Sequence, residues 1–147
     1  MSYLRTLWNK IAPFLLKIIL MAGIIIVAHA PLAQTLLKCA EHVYESHIAR
    51  ALAFDITPDA DPDNMVNLIK QQVGTVIQLN SAILLTDLCG ATPANIAAQV
   101  AREKNLSVLA GVNLPMLLKA IAYRSRPIEV LIQAALTGGT QGVMRII

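Results

Sequence analysis

Residues 24–34, IIIVAHAPLAQ, admit two incompatible readings. Branched apolar residues ending in Ala28-His29-Ala30 have the form of a secretory h-region followed by an A-x-A cleavage motif. The same run has the form of a strand buried on both faces that carries a histidine to the top of a sheet. Cleavage would discard His29, whereas a strand end would present it. Pro31 argues against the cut, because it would become the first residue after the scissile bond, where its ring and missing N–H are awkward. Met21 also offers an internal start, since MAGIIIVAHA has the pattern of the opening strand of an α/β domain. We therefore read residues 1–20 as an N-terminal extension and 21–147 as one domain.

The extension, MSYLRTLWNKIAPFLLKIIL, carries Arg5, Lys10 and Lys17 and no acidic residue, with Pro13 interrupting. On neither side of Lys17 does it reach the roughly 20 apolar residues of a spanning helix, which leaves a signal peptide and an interfacial helix as its open readings. The chain of 147 residues is 56% apolar with a net charge of +3, and outside this stretch it is close to neutral. That length suffices for a single domain to bury roughly 70% of its unfolded surface. Three tyrosines, two phenylalanines and one tryptophan, with no basic run among them, argue against nucleic-acid binding. Cys39 and Cys89 are too few for a disulfide framework and fit no zinc or thioredoxin spacing. Both are expected to be small buried apolar residues in a reducing compartment.

From residue 23 onward, strand and helix patterns alternate. GIIIVA (23–28) is followed by a helix over 31–46 opened by Pro31, then an outer strand over 50–56. TPDADPDN is turn chemistry ending in an N-cap at Asp61, and a helix over 62–78 follows. SAILLTD (81–87) is a second central strand. A helix over 92–105 starts with a Thr92 cap and Pro93, and LSVLAG (106–111) and a helix over 113–125 come next. The last stretch, 126–147, reads as a helix broken at Gly138-Gly139. Strands separated by helices imply βαβ units: an α/β three-layer sandwich whose mainly parallel four-stranded sheet, in order 2-1-3-4, has helices on both faces.

In such a sheet ligands bind beyond the carboxyl ends of the strands, where strand order reverses. With strands one and three adjacent, His29 and Asp87 fall side by side there. Pro31 begins one helix and GATP opens another, so the imidazole is expected between two helix N-termini whose N–H groups favour an anion. An imidazole so placed is a candidate phosphoryl acceptor, with Asp87 on its other ring nitrogen fixing the tautomer. Each residue also has a plainer reading, His29 as a packing or capping residue and Asp87 as a turn former. No GxGxxG or GxxxxGK[ST] motif is present, and no cofactor is expected. His42 and His47 are expected to be solvated. Asp55, Asp59, Asp61 and Asp63 lack the glycine and terminal glutamate of an EF-hand, so no metal site is expected. Cys89 is expected to line the site sterically.

IIIVAHAPLAQTLLKCAE, ILLTDLCGATPANIAAQVA and LSVLAGVNLPMLLKAI together resemble the enzyme IIA domain of the mannose-type sugar phosphotransferase system, over about residues 22–145. The resemblance implies a cytoplasmic phosphotransferase that accepts a phosphoryl group from the phosphocarrier HPr and passes it to an enzyme IIB partner. It implies His29 as the phosphorylated residue, Asp87 as the orienting carboxylate, and Thr92 with Gly90 and Ala91 as the phosphoryl-binding segment. Asn95 and Asn113 would support the loops. A homodimer is implied, with membrane contact only indirect, through transporter subunits.

Ala30 stands where the family often has glycine, Gly90-Ala91 replaces a Gly-Gly pair, and Pro31 is unusual so close behind the histidine. These changes cost backbone freedom but keep the histidine, carboxylate and hydroxyl. No IIB-like block follows, which leaves two expected outlets. One is a separate IIB partner in sugar uptake; the alternative is a stand-alone regulatory phosphoprotein of a truncated phosphorelay, acting through protein–protein binding.

Overall fold

The computed structural model describes residues 1–77 and 81–147, and of residue 19 the backbone alone. The elements run α1 (Ser2–Leu20), β1 (Gly23–His29), α2 (Leu32–Tyr44), β2 (Ala51–Ile56), α3 (Pro62–Ile77), β3 (Ala82–Thr86), α4 (Thr92–Lys104), β4 (Ser107–Ala110), α5 (Leu114–Tyr123) and α6 (Ile128–Gln141). The four strands form a parallel sheet in the order β2-β1-β3-β4. This is the expected three-layer α/β sandwich.

The β-branched run of β1 explains its central place, since Ile24, Ile25, Ile26 and Val27 are all fully buried. Side chains alternate across a strand, so one run feeds two cores. Ile24 and Ile26 join Ile83 and Leu85 beneath α2, α5 and α6, while Ile25 and Val27 join Leu84 beneath α3 and α4. The helices after β1 and β3 therefore leave on opposite faces. The gap between their starts is the crevice in which a ligand is expected.

Three sequence expectations change here. The last helix is continuous through Gly138 and Gly139, which are buried against α5. A Cβ on Gly139 would come within 2.8 Å of Met116 Cε, so the pair allows close helix packing rather than a break. Cys39 and Cys89 are both exposed, not buried. Cys39 lies at the flank of the buried stripe of Ala33, Leu36 and Ala40 on α2, and Cys89 lies in the loop after β3. Thr92 is the first residue of α4 rather than its cap, a position taken by Ala91. The elements otherwise match to within a few residues, except that the last helix ends at Gln141 and leaves 142–147 outside it. Residue 78, the expected end of the helix from 62, lies outside the described residues. At α2 and α4 the trimming has a local cause, because Glu45 and Asn105 take left-handed conformations (φ 52 and 53) that end each helix.

Candidate active site

His29 is the last residue of β1, and Asp87 follows β3 directly. Val27 pairs with Thr86 across the two strands, so the next residues of both strands emerge together. His29 Nδ1 lies 2.7 Å from Asp87 Oδ2, and the backbone N–H of His29 donates to the same oxygen at 3.0 Å. The backbone N–H of Leu88 donates to Asp87 Oδ1 at 2.8 Å. Both carboxylate oxygens are thus held, one by the imidazole and one by its own loop.

The carboxylate is well shielded and the ring is not: the side chains are 14% and 53% exposed. Burial alone pushes the Asp87 carboxyl up. The hydrogen bonds from the His29 ring and from the His29 and Leu88 N–H groups, with the imidazole charge, outweigh it and hold the group below the ordinary carboxylate range. An ionised Asp87 accepts from Nδ1–H, which leaves the lone pair on Nε2. Nε2 has no protein partner among the described residues.

The loop after β3 is shaped for this placement. Gly90 has φ +85, a conformation that disfavours any side chain, and it turns the chain into α4. Gly111, at φ +81 after β4, lets its N–H reach the Asp87 carbonyl at 2.8 Å, while Val112 N–H reaches that of Thr86 at 3.0 Å. The backbone on which Asp87 sits is therefore tied to the next strand end. Asn95 Nδ2 donates to the Gly90 carbonyl at 3.4 Å. Asn113 caps α5 through Met116 N–H at 2.9 Å and donates to the Gly139 carbonyl at 3.0 Å. Both asparagines support loops, as expected.

His29 opens into a cleft of about 350 Å³ shared with Thr57, Pro58, Pro62, Thr92 and Pro93. The cleft lies at the start of α4. Ala91, its cap, contributes no side-chain hydrogen bond. Among the described residues the Thr92 hydroxyl and the N–H groups of Gly90 and Thr92 are likewise without partners. Unpaired donors at a helix start, with the positive end of the helix dipole behind them, suit an anion.

The start of α2 is different, and here the expectation of two equivalent helix N-termini fails. Asp55 Oδ1 accepts from Ala33 N–H at 2.9 Å and Gln34 N–H at 3.2 Å, so the second and third N–H groups of α2 are taken. Pro31 precedes the helix, joined to Ala30 by a cis peptide bond. Asp55 pairs in register with Ala28, one residue before the histidine. The sequence places Asp55 in the outer strand and groups it with three nearby acids, but gives no sign of its partner, which lies 22 residues away along the chain.

The other singled-out residues stand apart. Asp61 caps α3 by accepting from Asp63 N–H at 3.2 Å. His47 pairs with Glu41 at 2.7 Å on an exposed surface, and His42 is exposed in the last turn of α2. Cys89 is exposed beside Gly90.

The model of a family described as the PTS system fructose IIA component matches residues 23–134. The chain is 27% identical over 124 residues to the PTS system mannose-specific EIIAB component of Escherichia coli strain K12, a match covering 82% of this chain. It spans 38% of the length of that relative. The crystal structure of phosphotransferase system component EIIA from Streptococcus agalactiae superposes with a TM-score of 0.76 at 25% identity, over 85% of this chain and 97% of that one. The PTS IIA protein associated with the fucose utilization operon from Streptococcus pneumoniae does so with a TM-score of 0.70 at 25% identity, over 86% and 93%.

Proposed function

This chain belongs to the mannose-type IIA family of the sugar phosphotransferase system, and we propose that His29 is its phosphoryl acceptor, loaded from phosphorylated HPr and discharged to an enzyme IIB partner. The observation that carries this reading is the 2.7 Å contact of His29 Nδ1 with Asp87, which leaves Nε2 as the nucleophile facing the cleft.

In the forward step the Nε2 lone pair attacks the phosphorus of the donor. The new N–P bond forms as the bond to the HPr leaving group breaks, and the electron pair departs with HPr. The Nδ1 proton stays on the ring, hydrogen-bonded to Asp87, whose negative charge stabilises the cationic phosphoimidazole. The phosphoryl oxygens sit over the open start of α4, where the Thr92 hydroxyl and the N–H groups of Gly90 and Thr92 donate to them, while the Ala91 N–H stays on the Leu88 carbonyl and holds the turn. Transfer to IIB reverses each event with a different acceptor. No metal or cofactor enters either step.

The catalytic domain is residues 21–147, it acts in the cytoplasm, and it works as a homodimer. Val143, Met144 and Ile146, exposed after α6, are apolar surface that a second copy would cover.

The test is transfer of label from phosphorylated HPr. Wild type should take up one acid-labile, base-stable phosphoryl group and His29→Ala none. Full uptake by His29→Ala would end the proposal.

A further inference from the structure

Helix α1 is not part of the matched family region, which begins at residue 23. Its large apolar side chains are uncovered: Tyr3 is 77% exposed, Trp8 62% and Phe14 64%. At 100° per residue these positions are not scattered. Leu4, Leu7, Trp8, Ile11, Phe14 and Leu15 share one half of the helix, with Ile11 at its centre. Lys10 and Lys17 lie along one border of that half and Arg5 along the other. Pro13 falls on the opposite half, where its missing N–H leaves the Asn9 carbonyl without a helical partner away from the apolar side chains. Leu16 and Leu20 of that opposite half line a cleft with Ser125, so the domain lies on their side and the apolar half points away from it.

We propose that α1 is an in-plane membrane helix that docks this domain onto an anionic lipid surface. Three features select lipid as the occupant. The helix carries three basic residues and no acid, which complements anionic headgroups and would make a second copy of the same helix repel the first. Trp8 and Tyr3 have the apolar body and polar tip suited to the headgroup boundary. Cations bordering the apolar half let their stems lie on hydrocarbon while their charges stay at the phosphates. Spanning is a different matter, as no helix among the described residues is long and apolar enough to cross a membrane. The proposal rests on α1 alone and stands apart from the chemistry at His29. It places the domain on the membrane directly rather than only through other subunits.

The full chain should be sedimented with vesicles of phosphatidylcholine alone or doped with phosphatidylglycerol to about one-third. Binding should be strong only on the doped vesicles and weaken with salt. The emission of Trp8, the single tryptophan of the chain, should shift to shorter wavelength as it leaves water. Removing all three charges in R5Q/K10Q/K17Q should weaken binding about a hundredfold, at about fivefold per charge. Ile11→Asp should abolish it. Both variants should keep the unfolding temperature of the domain and full phosphoryl uptake at His29. Equal affinity for the two vesicle types would overturn the proposal. So would an unshifted Trp8 spectrum on doped vesicles, or a lipid-free dimer that Ile11→Asp dissociates.

Discussion

Two helices begin on either side of His29, and their first turns are treated in opposite ways. At α2 the Asp55 carboxylate fills two of the donor positions. At α4 Ala91 sits in the extended cap conformation (φ −80, ψ 169) yet offers no side-chain acceptor, and the hydroxyl of Thr92 is left unpaired. A helix start without a cap forgoes about 1 kcal/mol of stability. On the chemistry proposed for His29, the difference separates a terminus used for holding the fold from one left open for the phosphoryl group. Asp55 belongs to the first, because it fastens α2 to the end of β2 beside the histidine strand. The Gly90-Ala91-Thr92 segment belongs to the second.

Closing the open terminus should have the largest effect. Ala91→Asp supplies the missing acceptor, so the domain should gain about 1 kcal/mol in denaturant unfolding. A carboxylate within about 6 Å of the incoming phosphoryl group should nonetheless slow its transfer roughly a hundredfold. Ala91→Ser, a cap without charge, should keep most of the stability gain and lose far less rate. If Ala91→Asp is phosphorylated at the wild-type rate, the open terminus is not where the phosphoryl group sits.

Opening the closed terminus should do the reverse. Asp55→Ala removes the acceptor for Ala33 and Gln34 and should cost about 1–2 kcal/mol in unfolding. Phosphoryl uptake at a temperature where the variant is folded should stay within about twofold, since an interaction outside the transition state leaves the barrier unchanged. A large loss of rate with intact folding would show that α2 also serves the anion and that the two ends are alike.

The smallest expected effect concerns pH. Asp87 is held below the ordinary carboxylate range, so its contribution to stability is complete above the pKa of the unfolded chain, about 4. That contribution is lost as the pH falls through the lower folded value. Wild type should therefore exceed Asp87→Asn in unfolding free energy near neutrality, and the two should converge as the pH drops below about 4. A constant difference across that range would mean that the charge of Asp87 adds nothing to the fold.

Much of this was legible from pattern. The β-branched run of β1, the turn chemistry and the helix lengths led to the order β2-β1-β3-β4, and that order places His29 beside Asp87. What stayed hidden depends on contacts between distant elements. Asp55 looked like one acid among four, because only the pairing of Ala28 with Asp55 brings it to α2. Thr92 had the composition of a cap, but Gly90 at φ +85 turns the chain so that Ala91 takes the position. Gly138 and Gly139 read as a break because local propensity counts a glycine pair against a helix. Close packing on α5 outweighs that propensity. The two cysteines were misplaced for a similar reason, since a type preference for burial says nothing about which side of a helix a given residue takes.

If Asp87 holds Nδ1, only Nε2 is left to react. Phosphorus and nitrogen NMR on the phosphorylated domain distinguishes the two ring positions. A single phosphohistidine is expected at His29, with phosphorus on Nε2 and Nδ1 still protonated toward Asp87. Phosphorus on Nδ1, or on any residue other than His29, would contradict it.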